Sequence, residues 1–359
     1  MLSIIMTGGS GTRFWPVSRK HKPKQFLNIT GNGPMVVETC DRLKSLAKDD
    51  EIVLILGQEH LPEARKLFKD RNVHMLAEPI GRNTAPCIGL GAIYAQHLGR
   101  EEAIAYLPAD HYIGDPNTFI EALKVAGELA NSGGIVTLGI IPNRPETGYG
   151  YIKRAKNALS EFGKFKIYKV LKFVEKPSYE KACYYLGKGE YFWNGGIFLA
   201  RPAVILNNIR EHLPDLYKGL MDLQKSFETQ DFDEKFKSVY EGLEAISFDF
   251  GIMEKTNQEV YVLPCECGWS DVGSWGSLYE LKASEYDDQQ NLVAGEALLI
   301  DCKNSFINSR KKRIVTCLGL TDCLVVDTEE MLLVADLSHS QDTRKIVAEL
   351  KKLGKDDLL

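Results

Sequence analysis

The stretch that decides the fold is Leu2-Ser3-Ile4-Ile5-Met6-Thr7-Gly8-Gly9-Ser10-Gly11-Thr12-Arg13. A short apolar run that ends at glycines is typical of a buried strand that enters a loop. Glycines admit positive φ and let several backbone N–H groups point into one concavity, which favours anions. Because the loop follows a strand directly, we predict that it lies at the carboxyl edge of the sheet, where open α/β folds bind ligands.

The glycine-rich loop matches neither of the two common nucleotide motifs. It lacks the third glycine of the dinucleotide fingerprint, and it lacks the Gly-Lys-Ser/Thr of the Walker type. An ordinary tight turn between a strand and a helix is therefore an open alternative for the glycines alone. The cations that follow favour a triphosphate ligand, since they stand directly behind the loop. They are Arg13, Arg19, Lys20, Lys22 and Lys24.

Strand-like and helix-like segments alternate through the first 140 residues. The predicted strands lie at 2–6, 52–56, 73–76, 103–107 and 135–138, and the predicted helices at 35–47, 60–69, 84–98 and 116–130. This alternation predicts an α/β domain of Rossmann-like type with a mixed, mostly parallel sheet. Beyond residue 140 the extended segments are interleaved with helices near 178–187 and 202–210, which indicates an inserted substrate region.

The pattern changes again after residue 288. Five short strand-like runs follow without a helix between them, at 297–302, 305–308, 313–317, 323–327 and 331–335, and a helical tail covers 340–352. This predicts a small C-terminal β module that resembles a short β-solenoid. We therefore expect a catalytic domain at 1–287 and a β module at 288–359, packed together. The module carries no chemical motif, and its apolar runs suit docking on the catalytic domain or a dimer contact.

Composition excludes several classes of protein. The 359 residues include 44 Lys and Arg against 49 Asp and Glu, which gives a net charge of −5. A mildly acidic chain is a poor nucleic-acid binder, because that binding depends on neutralising phosphates. Eight cysteines are too few for a disulfide scaffold, and no stretch approaches the ~20 apolar residues of a membrane span. We expect a cytoplasmic protein with neither nucleic acid nor a membrane as its partner.

Eight motifs in order along the chain resemble one enzyme family. They lie at 8–16, 23–27, 78–86, 107–111, 147–152, 173–177, 194–198 and 269–275. Together they are similar to the motifs of the sugar-nucleotide pyrophosphorylases, and within that family to the bacterial type of mannose-1-phosphate guanylyltransferase. The resemblance implies that GTP and mannose 1-phosphate are the substrates, that GMP is transferred with release of pyrophosphate, and that Mg²⁺ is the cofactor. Independently of the resemblance, the apolar runs of the β module lead us to expect a homodimer.

Two aspartates are the candidate metal ligands. Asp110 follows the fourth predicted strand, and Asp271 lies in a loop rich in Gly and Trp. Hard carboxylate oxygens suit Mg²⁺, which uses one or two carboxylates together with substrate phosphates. Taken alone, each aspartate is equally explained as the cap of a helix or turn. The resemblance implies that both bind Mg²⁺ at the nucleotide phosphates.

The resemblance also implies roles for other residues. Arg13 and Lys24 would hold the triphosphate, Lys176 the sugar phosphate, and Glu175 the sugar hydroxyls. The remaining candidates are Gly148 and Asn194 at the sugar, and Gly8, Gly9, Gly11, Thr12, Glu78, Asn83 and Thr84 at the nucleotide. Without the resemblance, Gly148 is typical of a hairpin and Asn194 of an Asx turn. Pro177 is expected to hold Lys176 in extended geometry.

The implied reaction needs no general base, because a phosphate monoester is already an anion near neutral pH. Positioning and charge neutralisation are what such a site must supply. Two rival functions stay open: a pyrophosphorylase for another sugar or base, such as a glucose-1-phosphate thymidylyltransferase, and a silent regulatory relative. The silent relative is disfavoured because no candidate cation or metal ligand is missing. Some relatives continue into a phosphomannose isomerase domain, and the length of this chain predicts a single activity.

Overall fold

The computed structural model describes residues 1–9 and 11–359, so Ser10 of the glycine-rich loop lies outside the described residues. The strands are β1 Ser3–Thr7, β2 Ile52–Gly57, β3 His74–Glu78, β4 Ile104–Pro108, β5 Tyr112–Ile113, β6 Ile135–Ile140, β7 Tyr151–Arg154, β8 Ser160–Phe162, β9 Phe165–Val174, β10 Tyr191–Ala200, β11 Val260–Pro264, β12 Trp269–Ser270, β13 Leu292–Ala294, β14 Ala297–Ile300, β15 Phe306–Ser309, β16 Val315–Leu318, β17 Cys323–Asp327 and β18 Leu332–Asp336. The helices are α1 Met35–Arg42, α2 Leu61–Leu67, α3 Thr84–His97, α4 Pro116–Ser132, α5 Tyr179–Lys188, α6 Pro202–His212, α7 Pro214–Gln224, α8 Phe232–Gly242, α9 Trp275–Leu281 and α10 Thr343–Lys352.

The chain divides by packing into two compact units. Unit 1 consists of Met1–Gly8, Val36–Ala109 and Ile113–Trp269. Unit 2 consists of Gly9–Met35, Asp110–Tyr112 and Ser270–Leu359. The predicted domains at 1–287 and 288–359 are continuous stretches of sequence, and the boundary between them stays a prediction. The packing units are each assembled from three separate parts of the chain.

Unit 1 is built on a mixed sheet with the order β3-β2-β1-β4-β10-β6-β11-β9-β7, and β8 pairs with β9. β1 pairs in parallel with β2 and β4, which places Ile4 opposite Val53 and Tyr106. Every residue of β1 is buried, as expected for a parallel strand that is covered on both faces. β10 runs antiparallel to β4 and β6, so the prediction of a mixed sheet is confirmed.

The helical part of the unit 1 core centres on α3. This helix is apolar on most of its circumference, and it packs against α6 and α7. A helix that is apolar all round belongs in an interior position, which explains why the sequence over 84–98 lacks an amphipathic pattern. Across residues 1–9 and 11–359, no helix combines the length and the apolar character that crossing a bilayer requires.

Unit 2 contains the C-terminal β module. Its strands form one sheet of order β13-β15-β17-β18 and a second sheet of β14 and β16. β13, β15 and β17 are parallel, with Leu292, Phe306 and Leu324 in register. The five predicted strands correspond to β14 to β18. β13 was not predicted, because three residues are too few to show an alternating pattern.

The N-terminal loop shares the hydrophobic core of the β module. The Phe14 ring lies 5.0 Å from the Trp275 ring, and the Trp275 indole N–H donates to the Trp15 carbonyl at 3.2 Å. Phe306 and Leu324 of the module belong to the same buried cluster. Residues 9–35 therefore fold as part of unit 2, although they follow the first strand of unit 1 in the chain.

The cysteines support the interpretation of reduced, non-catalytic thiols. All eight are free, and Cys265 and Cys267 are buried. Cys302, Cys317 and Cys323 form part of a small apolar cluster inside the β module, so they are core residues. Burial raises the pKa of the Cys317 and Cys323 thiols, so the unreactive thiol form is favoured.

Candidate active site

Gly11 of the glycine-rich loop packs directly against Lys24. Gly11 has φ +59°, and a Cβ at this position would lie 2.7 Å from the backbone nitrogen of Lys24. Only glycine combines that conformation with so close an approach. The Ser18 hydroxyl donates to the Gly11 carbonyl at 2.6 Å and holds the loop in place. Gly8 and Gly9 are exposed, and Thr12 begins a short helical turn after the loop.

Lys24 joins the two candidate aspartates. It is only 4% exposed. Its ammonium donates to the Asp110 carboxylate at 2.9 Å, to the Asp110 carbonyl at 2.9 Å and to the Asp271 carbonyl at 2.6 Å. A buried ammonium needs acceptors of this kind, because its three N–H groups lose their water. One buried cation therefore holds both aspartates at the same place in unit 2.

Asp110 is ionised at neutral pH. β4 ends at Pro108, so Asp110 lies two residues beyond the strand rather than at its last position. Burial is the largest single influence and acts to raise the pKa of the Asp110 carboxyl. The charges of Lys24 and His111 and the hydrogen bonds to the carboxylate together outweigh it, so the pKa lies below its usual value. The group is thus a ready acceptor for a cation.

The side chains of Arg13 and Asp271 both lie beside Gly273. A Cβ on Gly273 would lie 2.7 Å from Oδ2 of Asp271 and 3.2 Å from Nη1 of Arg13. The Arg13 side chain is exposed, and its guanidinium donates to Oε1 of Gln341 at 3.2 Å. Together Arg13, Lys24, Asp110 and Asp271 form what we call the phosphate cluster.

The phosphate cluster fits Mg²⁺ that is held jointly with a nucleotide. Its donors for a metal are carboxylate oxygens, which are the ligands that Mg²⁺ prefers. In the described part of the chain, no group of three or more His, Cys, Asp or Glu side chains could hold a metal ion. Two carboxylates would therefore leave the other positions around Mg²⁺ to phosphate oxygens and water.

Three of the four candidate sugar residues, Glu175, Lys176 and Asn194, come together in unit 1. Oδ1 of Asn194 on β10 accepts from the Gly196 N–H at 3.1 Å, and Nδ2 donates to Oδ1 of Asp249 at 2.7 Å. The Lys176 ammonium donates to Oε1 of Glu175 at 2.6 Å. We call Glu175, Lys176, Asn194 and Asp249 the sugar cluster. Gly148 is exposed, and its N–H donates to Oε1 of Glu146 at 2.9 Å.

The expected extended geometry of Lys176 is wrong. β9 ends at Val174, and Lys176 has φ +43°, in the left-handed region. The chain turns before Pro177 because the Glu175 N–H is held by Oε1 of Glu254, at 2.9 Å. That contact comes from a distant part of the sequence, so the local effect of proline did not decide the conformation.

Asp249 and Glu254 were not predicted as site residues. Asp249 is the first residue of the π-helical turn Asp249–Met253, and Glu254 directly follows that turn. Turns of this type are frequent at functional sites. No local signal marks Asp249, because the sequence over 246–250 alternates apolar and polar residues and an acid at this position fits that alternation.

The candidate base-binding residues lie at the start of α3 and the end of β3. Asn83 caps α3 by accepting the Thr84 N–H at 2.8 Å, and the Thr84 hydroxyl accepts the Phe248 N–H at 2.8 Å. Glu78 is 7% exposed. Within the described residues, its Oε1 has no hydrogen-bond partner. The roles of these residues in base recognition stay predictions.

Glu78 should make stability depend on pH. Burial raises its pKa to about 7, although a hydrogen bond with Tyr240 acts in the opposite direction. A pKa that is higher in the folded chain favours the neutral group, so this stabilisation is lost as pH rises from about 5 to about 7.5. We expect the free energy of unfolding to fall by about 2 kcal/mol more in the parent than in Glu78→Gln over that range. If the free energy of unfolding changed equally with pH in the two proteins, the raised pKa would not belong to Glu78.

Comparisons with known proteins agree along nearly the whole chain. A family model described as nucleotidyl transferase matches residues 2–288, and a model described as MannoseP isomerase/GMP-like beta-helix domain matches residues 295–350. The mannose-1-phosphate guanylyltransferase of Klebsiella pneumoniae is 38% identical over 98% of this chain and 74% of its own length. The alginate biosynthesis protein AlgA of Pseudomonas putida is 36% identical over 99% of this chain and 72% of its own length.

A solved structure is similar over almost the same extent. It is a Thermus thermophilus protein described as a mannose-1-phosphate geranyltransferase, with a TM-score of 0.87 and 34% identity. The match covers 97% of this chain and 98% of that one. The mixed-sheet domain and the C-terminal β module are thus both found in a solved relative.

Proposed function

Because the chain belongs to the nucleotidyltransferase family, in the group whose curated members are mannose-1-phosphate guanylyltransferases, we propose that it transfers GMP from GTP to mannose 1-phosphate. The products are GDP-mannose and pyrophosphate. The observation that carries this proposal is the set of contacts made by Lys24, which brings two acidic residues onto one buried cation in the phosphate cluster.

The chemistry proposed for the phosphate cluster is charge neutralisation. The phosphate of the sugar is the nucleophile, and it attacks the α-phosphorus of GTP in line with the departing pyrophosphate. Since both reactants are polyanions, their mutual repulsion is the main obstacle. Arg13 and Lys24 bind the triphosphate and stabilise the charge on the leaving group. Asp110 and Asp271 would hold Mg²⁺, which supplies further neutralisation of the phosphates when it is bound.

The sugar cluster is proposed to hold the second substrate. Lys176 is exposed and carries the positive charge that a sugar phosphate requires. Its contact with Glu175 keeps the ammonium beside a carboxylate that can accept sugar hydroxyls. With the nucleophile already ionised, these residues orient the phosphate and need not remove a proton.

Lys176→Ala is expected to raise KM for mannose 1-phosphate by about 10- to 100-fold, because a charge-assisted hydrogen bond to the phosphate is lost. KM for GTP should change little. Lys172→Ala is the matched control, since Lys172 is an exposed lysine on β9 outside the sugar cluster. Initial rates measured against each substrate test this, and an unchanged response to sugar phosphate would refute the role of Lys176.

One assay tests the proposed function as a whole. Pyrophosphate release is measured with GTP, ATP, dTTP or UTP, each combined with mannose 1-phosphate or glucose 1-phosphate, with and without Mg²⁺. We expect the highest kcat/KM for GTP with mannose 1-phosphate and a requirement for Mg²⁺. A preference for dTTP with glucose 1-phosphate would instead identify a thymidylyltransferase, and no turnover with any pair would identify a silent relative.

We also propose a short β-solenoid in the C-terminal module and a homodimer in solution. The parallel pairing of β13, β15 and β17, and of β14 with β16, supports the solenoid. Sedimentation of the full chain tests the dimer, and a monomer at every protein concentration would exclude it.

A further inference from the structure

The sugar cluster contains a second acidic side chain whose orientation is defined by its neighbours. The Gly196 N–H can only donate, so the Asn194 atom that it contacts must be the oxygen Oδ1. Nδ2 of Asn194 therefore faces Oδ1 of Asp249, at 2.7 Å. The hydrogen-bond network thus determines both the direction of the amide and the place of the Asp249 carboxylate.

The segment that carries Asp249 is held to two candidate substrate-binding regions. At its start, the Phe248 N–H donates to the Thr84 hydroxyl at 2.8 Å, in the candidate base-binding segment. At its end, Oε1 of Glu254 accepts the Glu175 N–H at 2.9 Å. Asp249 lies between these two attachments, so its position is linked to both regions within unit 1.

The carboxylates of Glu175 and Asp249 both lie near Asn194. A Cβ on Gly150 would lie 2.6 Å from Oε2 of Glu175 and 3.3 Å from Cβ of Asn194, so the Glu175 carboxylate lies beside Asn194. The Asp249 carboxylate contacts the side-chain amide of the same asparagine. Two acceptors thus lie near one asparagine.

The charges around Asp249 are poorly compensated by the protein. Lys176 makes its ion pair with Glu175, and in the described residues no lysine, arginine or histidine forms an ion pair with Asp249. Burial, together with the nearby charge of Glu175, raises the pKa of Asp249 to about 6, although hydrogen bonds and the charge of Lys176 act in the opposite direction. A half-buried carboxylate beside another carboxylate is costly, and such arrangements are concentrated at ligand sites.

We infer that Asp249 is a specificity-determining residue of the sugar subsite, where its carboxylate accepts a hydrogen bond from a ring hydroxyl of the sugar next to the one that Glu175 accepts. This inference rests on the proposed function. Hexose hydroxyls donate to carboxylates, and two acceptors near the same asparagine match two hydroxyls on one ring. A sugar that lacks the hydroxyl leaves the acid without its donor, which is how a polar site rejects an analogue.

Asp249→Asn isolates this role from a structural one. The asparagine keeps the shape of the side chain, and its amide oxygen can still accept from Nδ2 of Asn194. It places an NH₂ group where the hydroxyl would donate. We expect KM for mannose 1-phosphate to rise about 10- to 100-fold, with KM for GTP unchanged and kcat within about 3-fold of the parent. Asp222→Asn is the matched control, because Asp222 is an exposed acid on α7 in the same unit.

Deoxy sugars supply the readout that a merely structural residue would not change. The parent and Asp249→Asn are assayed with mannose 1-phosphate and with its 2-, 3-, 4- and 6-deoxy analogues. If Asp249 accepts a hydroxyl, one deoxy position loses most of its rate penalty in the variant, since the two changes remove the same hydrogen bond. Equal penalties in both proteins at all four positions would overturn the inference while leaving the function intact. A parent that fails to turn over mannose 1-phosphate would overturn the function and this inference together.

Discussion

Asp110→Asn is expected to lower kcat for pyrophosphate release by about 10³-fold or more, because several kcal/mol of transition-state charge stabilisation depend on a bound metal. The substituted asparagine has nearly the same size and still offers an oxygen to the Lys24 ammonium, which the native carboxylate contacts at 2.9 Å. The free energy of unfolding should fall by only about 1 kcal/mol, since the buried ammonium keeps an oxygen acceptor but loses its paired charge. Only the negative charge that would hold Mg²⁺ is removed.

The test of Asp110 combines turnover with a direct metal measurement. Binding of Mn²⁺ in the presence of GTP is followed by electron paramagnetic resonance, and it should weaken together with turnover. Asp70→Asn is the control, because Asp70 is an exposed acid in a turn of unit 1. Parent-like turnover in Asp110→Asn would remove Asp110 from the metal site.

Lys24→Met is expected to reduce both activity and stability. Methionine nearly matches the length of lysine but donates to none of the three oxygens that the ammonium now contacts. Loss of the buried positive charge in the phosphate cluster should lower kcat/KM for GTP by about 10²- to 10³-fold. The two carbonyls and the Asp110 carboxylate would lose a charged donor, which should cost about 2 kcal/mol of folding free energy.

Thermal stability of the two variants distinguishes the role of Lys24 from that of Asp110. Thermal unfolding should show a larger decrease in Tm for Lys24→Met than for Asp110→Asn, because only the first variant leaves oxygens in the site without a donor. Lys345→Met is the control for Lys24, since Lys345 is an exposed lysine on α10 in the same unit. If Lys24→Met unfolded like the parent, the joining role that the structure gives to this ammonium would be wrong.

Local patterns predicted much of unit 1. The strand before the glycine-rich loop and the apolar helix over 84–98 are present within a few residues of their predicted bounds. Each of these elements carries its own signal, because apolar spacing and flanking glycines act over a few neighbouring residues. β13 and the π-helical turn at Asp249 carry no such signal, since both are short and depend on their packing partners.

The candidate site was likewise predictable from the sequence only in part. Arg13, Lys24, Asp110 and Asp271 were identified from the residues and the family resemblance, and the structure places them in one unit. The contacts of Lys24 with two aspartates could not be predicted, because they span 86 and 247 positions along the chain. The conformation of Lys176 was predicted wrongly for a similar reason, since it depends on a contact between its neighbour Glu175 and a residue 79 positions further along.

The amino-acid sequence by itself determined the family, the chemistry of the candidate residues and the alternation of strands and helices. These features reside in residue types and short spacings, which a sequence displays directly. Only the tertiary structure decided that residues 9–35 pack with the C-terminal module, that Lys24 is buried between two aspartates, and that Asp249 joins the sugar cluster. The physical reason is that these features depend on burial and on hydrogen bonds between distant residues, which exist only when folding has removed water from around them.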